Sequence, residues 1–298
     1  MQIGLTVALL LAPLFVSGAT QHAQVAYPDI GDGALPITVA ADSSGNLFII
    51  SYVTEPSGRR QIRVTKTDPK GNTLVHLDFG GSNAGFILSD TIGGAAVDAN
   101  GNVVIAGMTG SADFPLVSPL ISNASQYSAF IIKIDSGLQT ILFSTLLGGA
   151  QGDTSAYAIA LDKTGNIYAT GLTTDPDFPV TAGAFQTKPP TGNAEYAYLT
   201  EISADGKKIV FSTYFGDSNF VCTGTFCAGA SASTSASAIA VDTAGNVVIG
   251  GYTTTNHLPV TDGVYGRIAA IAATHEGQVS WRNSLAGVPA CCGRPTYR

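Results

Sequence analysis

The feature that most constrains this chain is a five-residue turn that occurs four times. It reads Asp42-Ser43-Ser44-Gly45-Asn46, Asp98-Ala99-Asn100-Gly101-Asn102, Asp162-Lys163-Thr164-Gly165-Asn166 and Asp242-Thr243-Ala244-Gly245-Asn246. An Asp at the first position can accept hydrogen bonds from backbone N–H groups two or three residues on. Gly at the fourth position supplies the positive φ of a turn-plus-bulge hairpin. The run after each turn is strand-like, as in Leu47-Phe48-Ile49-Ile50 and Val103-Val104-Ile105-Ala106. The run before it is built from small and β-branched residues, as in Ala158-Ile159-Ala160-Leu161 and Ala238-Ile239-Ala240-Val241. Such residues suit a crowded inner strand.

The turns recur at intervals of 56, 64 and 80 residues (42 to 98, 98 to 162, 162 to 242). Self-similarity at such a period means a propeller, a solenoid or an array. Each unit holds four strand-like runs divided by Gly, Pro, Asp and Asn, the strand count of a propeller blade, and none has a helical period. The fold expected is all-β: a propeller, or part of one, of about four four-stranded blades over residues 36–287. The repeats run at about 36–81, 93–149, 156–216 and 236–287, after a lead-in at 20–35 and before an unmatched tail at 288–298. The last interval is long because 217–234 is a Ser/Thr/Gly/Cys-rich insertion.

The repeats share Ala-Ile-Ala-Val-Asp-x-x-Gly-Asn, Gly-x-Thr, Asp-Phe-Pro-Val-Thr and Phe-Ser-Thr-x-Leu-Gly-Gly, clearest in Asp113-Phe114-Pro115, Asp177-Phe178-Pro179 and Phe143-Ser144-Thr145-Leu146-Leu147-Gly148-Gly149. This pattern resembles the bacterial SBBP beta-propeller repeat and, more distantly, the NHL-type blade. Repeat one departs from it, with Glu55-Pro56-Ser57-Gly58 in place of the Asp-Phe-Pro loop, and repeat four has Asn256-His257-Leu258-Pro259 there. The resemblance implies a propeller of secreted or cell-surface bacterial proteins, often of unassigned activity. Four copies leave open a small propeller, part of a larger one, or a truncated product.

Residues 1–19 read as a secretory signal: a short apolar core from Leu5 to Val16, then the small residues Ser17-Gly18-Ala19. The apolar run is short and proline-interrupted for a membrane span, so no span is expected in the mature chain. The expected location is secreted or cell surface. A net charge of -7 with only 12% charged residues offers no basic stripe for nucleic acid. Cys222 and Cys227 share one loop and could form a local disulfide, whereas Cys291 and Cys292 are adjacent and poorly placed to bond each other.

Candidate chemistry is sparse. Asp98, Asn100 and Asn102 place three oxygens at calcium-loop spacing, but no downstream Glu completes such a loop, so the turn reading is preferred. Asp113 and Asp177 stand in matching loops of adjacent repeats. They are candidate ligand-binding carboxylates, set against a plainer reading in which Phe packs between blades and Asp caps the loop. His257 sits in a loop that departs from its repeat and is the third candidate. His22, His76, His257 and His275 form no spaced metal pair, and neither metal nor cofactor is expected. No nucleophile elbow, phosphate loop or zinc-protease motif is present. No catalytic residue is assigned, and the chain reads as more a non-enzyme than an enzyme. The leading expectation is a secreted scaffold binding a glycan or an extracellular protein. The alternatives are a polysaccharide hydrolase or lyase using Asp113 and Asp177, and a structural segment of a larger surface protein.

Overall fold

A computed structural model describes residues 29–31, 33–82, 90–189, 195–216 and 233–253, with the backbone alone at 270–273 and 279–282. The described residues form four antiparallel sheets, each of four consecutive strands. Blade 1 holds β1 (Leu35–Ala41), β2 (Leu47–Thr54), β3 (Arg60–Thr67) and β4 (Thr73–Phe79). Blade 2 holds β5 (Thr91–Val97), β6 (Val103–Thr109), β7 (Ser128–Ile134) and β8 (Ile141–Leu147). Blade 3 holds β9 (Thr154–Leu161), β10 (Ile167–Thr173), β11 (Tyr196–Ile202) and β12 (Ile209–Phe215). Blade 4 holds β13 (Thr234–Val241), β14 (Val247–Thr253), β15 (Ala270–Ala273) and β16 (Val279–Arg282). The first strands pack in succession, β1 on β5, β5 on β9 and β9 on β13, which makes them the inner strands of an all-β partial propeller.

Each repeated turn joins an inner strand to its neighbour. In the first, the Gly45 N–H donates to the Asp42 carbonyl and the Asp42 N–H to the Asn46 carbonyl. Gly45, Gly101, Gly165 and Gly245 take φ of 82°, 80°, 85° and 86°, where a Cβ would be strained. The Asp42 carboxylate accepts the N–H groups of Ser44 and Asn46, two and four residues on rather than two and three. The bulge accounts for the difference, since the extra residue brings the fourth N–H back under the carboxylate. The same device recurs between β3 and β4, where Asp68 accepts from Lys70 and Asn72 and Gly71 has φ of 87°.

A second regularity is absent from the letters. Every inner strand carries a bulge at the same place, five residues before its turn Asp, at Ile37, Gly93, Tyr157 and Ser237. The four residue types share nothing, so no sequence signal marks the position.

The core lies between blades. Phe48, Ile50, Ile62 and Val64 of blade 1 pack with Val103, Ile105, Phe130 and Ile132 of blade 2. Alternate residues of blade 2, Val104, Ala106, Ala129 and Ile131, point the other way and pack with Ile167, Ala169, Tyr196 and Tyr198 of blade 3. Tyr168, Leu199 and Phe215 then meet Ala236, Val247 and Ile249 of blade 4. A sheet buried on both sides loses the apolar–polar alternation of a half-exposed one, which is why β6, β7 and β11 are almost wholly buried. Each large apolar side chain so buried contributes about 1.5–3 kcal/mol.

At the turn end, lysines bind one blade to the next. Lys66 donates to the Ser136 carbonyl of blade 2 at 2.8 Å, and Lys133, at the matching position, donates to the Ala204 carbonyl of blade 3 at 3.1 Å. Lys133 also pairs with Asp98 at 2.9 Å, the two side chains being only 9% and 5% exposed. Removing one member of a buried pair strands the other, at a cost of about 3–5 kcal/mol. Asp98→Ala is therefore expected to destabilise the protein by about 3 kcal/mol. Asp242→Ala, which removes only turn hydrogen bonds among exposed groups, should cost much less. Denaturant melts of the two variants against the parent measure the difference.

Candidate functional site

The opposite end of the blades carries the candidate acids. Each of the first two junctions there is closed by one repeated device. The last strand of a blade runs into Gly80-Gly81-Ser82 or Gly148-Gly149-Ala150, and carboxylates of the following blade accept the exposed N–H groups. Asp113 Oδ1 accepts from Ser82 at 2.7 Å, and Asp177 Oδ1 accepts from Ala150 at 3.1 Å. These bonds, with that to the Ser82 hydroxyl, hold the Asp113 carboxyl below its ordinary range. The structure thus places Asp113 and Asp177 in equivalent roles at separate junctions and does not bring them together.

Two further carboxylates complete the device, and the sequence analysis did not single them out. Asp90 Oδ2 accepts the Gly81 N–H at 2.6 Å, and Asp175 Oδ2 accepts the Gly149 N–H at 2.6 Å. They come from different places in the repeat. Asp90 lies eight residues before its turn Asp, where blade 3 has Thr154; Asp175 lies thirteen residues after its own, where blade 2 has Ser111. The carboxylate has exchanged positions while its acceptor role is kept. Asp90 takes the Thr109 hydroxyl at 2.6 Å, and in blade 3 Thr154 and Thr173 bond each other at 2.9 Å instead. The spacing Asp175-x-Asp177 was the available signal for the third junction residue. For Asp90 there was none, because its repeat mates are not acids.

The exchange puts two carboxyls side by side at the junction of blades 2 and 3. Asp175 is fully buried. A Cβ on Gly149 would lie 2.3 Å from Asp177 Oδ1 and 2.8 Å from Asp175 Oδ1, so only glycine lets the chain pass over the pair. Burial, and then the hydrogen bond with Asp177, push the Asp175 carboxyl up to about 6. Asp177 moves the other way, lowered by its bonds with Asp175 and the Ala150 N–H. Below about pH 6 the pair therefore holds one proton, on Asp175. Glycoside hydrolysis needs two carboxyls flanking a substrate bond, and Asp175 has no exposed surface to meet one.

Phe114 and Phe178 wedge into the same junctions. Phe114 lies 6.2 Å from Phe79 of blade 1 and 4.6 Å from Phe130 of blade 2, and Phe178 lies 4.7 Å from Tyr198 and 5.6 Å from Tyr214. Beyond them the long loops turn back along the outer strands. Ser144 donates its N–H to the Val117 carbonyl and its hydroxyl to the Pro115 carbonyl, and Leu146 donates to Ile121. In blade 3, Ser212 accepts from Thr181, and Tyr214 donates to Gln186. The Ser-Thr pair of the repeat is therefore the anchor for a loop that covers a strand edge. Blade 1 has only the short span 55–59 there, and Leu74 on β4 is exposed.

His257, Cys222 and Cys227 lie outside the described residues, as do the signal segment 1–19, residues 217–232 of the inserted loop, and the tail. Among the described residues, no three His, Cys, Asp or Glu side chains are grouped as a metal site. No described helix is long and apolar enough to cross a membrane.

Residues 142–179 and 210–259 match the family model described as the SBBP beta-propeller repeat. Each stretch begins in an outer strand and ends beyond the second strand of the next blade, so the matched unit contains a blade junction rather than a blade. Over these two stretches the chain carries SBBP-type beta-propeller repeats. No curated protein matches it. Among solved structures it is similar to an acylaminoacyl peptidase bound to a chloromethyl ketone (TM-score 0.44, 9% identity, 84% of this chain and 32% of the other). The Pyrococcus horikoshii acylaminoacyl peptidase (0.42, 10%, 84% and 32%) and a mutant Synechocystis apocarotenoid oxygenase (0.40, 10%, 84% and 49%) are comparable. The chain spans about a third of the peptidases and half of the oxygenase, and likeness at this level transfers no activity.

The carboxyl pair gives a pH signature. A raised folded-state pKa at Asp175 adds stability that is present below about 4 and lost as pH rises through about 6. The lowered Asp177 adds stability above its ordinary value that is lost only in stronger acid. Between those limits both contributions hold. Lowering the pH from about 7.5 to about 5 should raise stability by about 1 kcal/mol, or ~2–4 °C in Tm. Asp175→Asn, which keeps a donor toward Asp177, should abolish that rise in a melt series across pH.

Proposed function

We propose that this chain is a secreted or cell-surface scaffold that binds a glycan or an extracellular protein without turning it over. The observation that carries this reading is the use made of the loop carboxylates. Asp113, Asp177, Asp90 and Asp175 all receive backbone N–H groups of the preceding blade, and so serve to join blades. What remains at that end is loop surface on a rigid support, the arrangement that scaffolds use for binding. Phe185, stacked 5.6 Å from Phe215 and still 39% exposed, gives that surface an aromatic contact point.

The hydrolase or lyase alternative has Asp113 and Asp177 among its acids, so one experiment separates the readings. The purified protein is melted with a panel of polysaccharides, and newly formed reducing ends are assayed in the same samples. The scaffold reading expects one polymer to raise Tm, since binding to the native state alone stabilises it, with no new ends. Reducing ends that form with the parent and vanish in Asp113→Asn/Asp177→Asn would overturn it.

A further inference from the structure

Among the described residues the array has two ends, and each leaves open one side of an interface that the chain builds three times internally. Positions in each blade are numbered from its turn Asp. The positions one and three residues before it face the preceding blade: Val97 and Ala95 in blade 2, Leu161 and Ile159 in blade 3, Val241 and Ile239 in blade 4. All six pack against that blade. Their counterparts in blade 1, Ala41 and Val39, are exposed, Val39 to 42%.

The positions six and ten residues after the turn Asp face the following blade. Phe48 and Tyr52, Val104 and Met108, and Tyr168 and Leu172 are buried or half-buried there. Their counterparts in blade 4, Val248 and Tyr252, are exposed to 44% and 53%. Blade 4 thus presents what a following blade would cover, and blade 1 presents what would cover it. The chemistry already has a precedent in this molecule: the Tyr52 ring, at the position of Tyr252, reaches the inner strand of the next blade, where its hydroxyl accepts the Ile92 N–H at 2.7 Å.

We propose that the β14 side of blade 4 docks on the β1 side of blade 1 in a second copy of this chain, joining the copies head to tail through Val248 and Tyr252 against Val39 and Ala41. The proposal rests on the scaffold reading and names one partner for it. The contact continues the packing of the three internal junctions. Because it joins two different patches, it is heterologous, and it closes into a ring or extends into a chain according to the rotation between copies. Pro36 stands where Ile92 donates its N–H, so Tyr252 would contribute its ring without that hydrogen bond. The joint is accordingly weaker than an internal one, and association should depend on concentration.

Sedimentation velocity of the full chain across a concentration series tests this. The parent should associate. Val39→Lys and Tyr252→Lys, both at surface positions of the single copy, should each raise the dissociation constant at least tenfold while keeping the parent's circular dichroism. A mixture of the two variants should form one-to-one pairs and stop there, because only the intact β1 patch of one and the intact β14 patch of the other can meet. If either variant misfolds, Ala41→Lys and Val248→Lys replace them. A parent that stays monomeric throughout, or association untouched by both variants, would overturn the proposal. A monomeric parent whose Tm still rises with a polysaccharide would overturn it while leaving the scaffold reading intact.

Discussion

The structure depends on sheet packing against sheet. Among the described residues no blade has a core of its own: the clusters that bury Phe48, Ile105, Ile131, Tyr198 and Ile249 each draw on two blades. A single four-stranded sheet exposes both faces, and its backbone hydrogen bonds alone contribute little net stability. Each blade is stabilised by its neighbours, as in other repeat proteins where stability is a sum of units and nearest-neighbour contacts. The blades at the ends of such an array differ from those inside it for this reason alone.

Polar groups keep the stacked sheets in register at both ends. At the turn end, Lys66 and Lys133 reach across to carbonyls in the next blade. At the loop end, carboxylates receive the N–H groups that the Gly-Gly segments would otherwise leave without partners. Buried donors without acceptors are costly, so these bonds fix the angle at which one blade leaves the last. One of the two stretches that match the family model, 142–179, contains such a carboxylate-closed junction, that of blades 2 and 3.

Much of this was legible in the letters and some was not. The four turns with their Asp and Gly announced sixteen strands in four groups, because turn chemistry is local and leaves a local trace. The Asp-Phe-Pro loops were legible as junction elements for the same reason. The exchange of a carboxylate between Asp90 and Asp175 was hidden, since two positions far apart in sequence share one role and only their spatial meeting reveals it. The lone Lys133 in Phe130-Ile131-Ile132-Lys133-Ile134 could have been noticed as a cation needing a buried partner, and Asp98 beside it was read only as a turn residue. The bulges at Ile37, Gly93, Tyr157 and Ser237 have no residue preference at all.

The central claim is that each blade is held by the ones beside it. Hydrogen exchange of the full chain, at a concentration low enough to keep it monomeric, tests this strand by strand. The account predicts slowest exchange in β6, β7, β10 and β11, which are covered on both sides, and faster exchange in β1 and β14, each with one open side. Equal protection of β1, β6, β10 and β14 in the monomer would contradict it, because each sheet would then hold its structure without a neighbour.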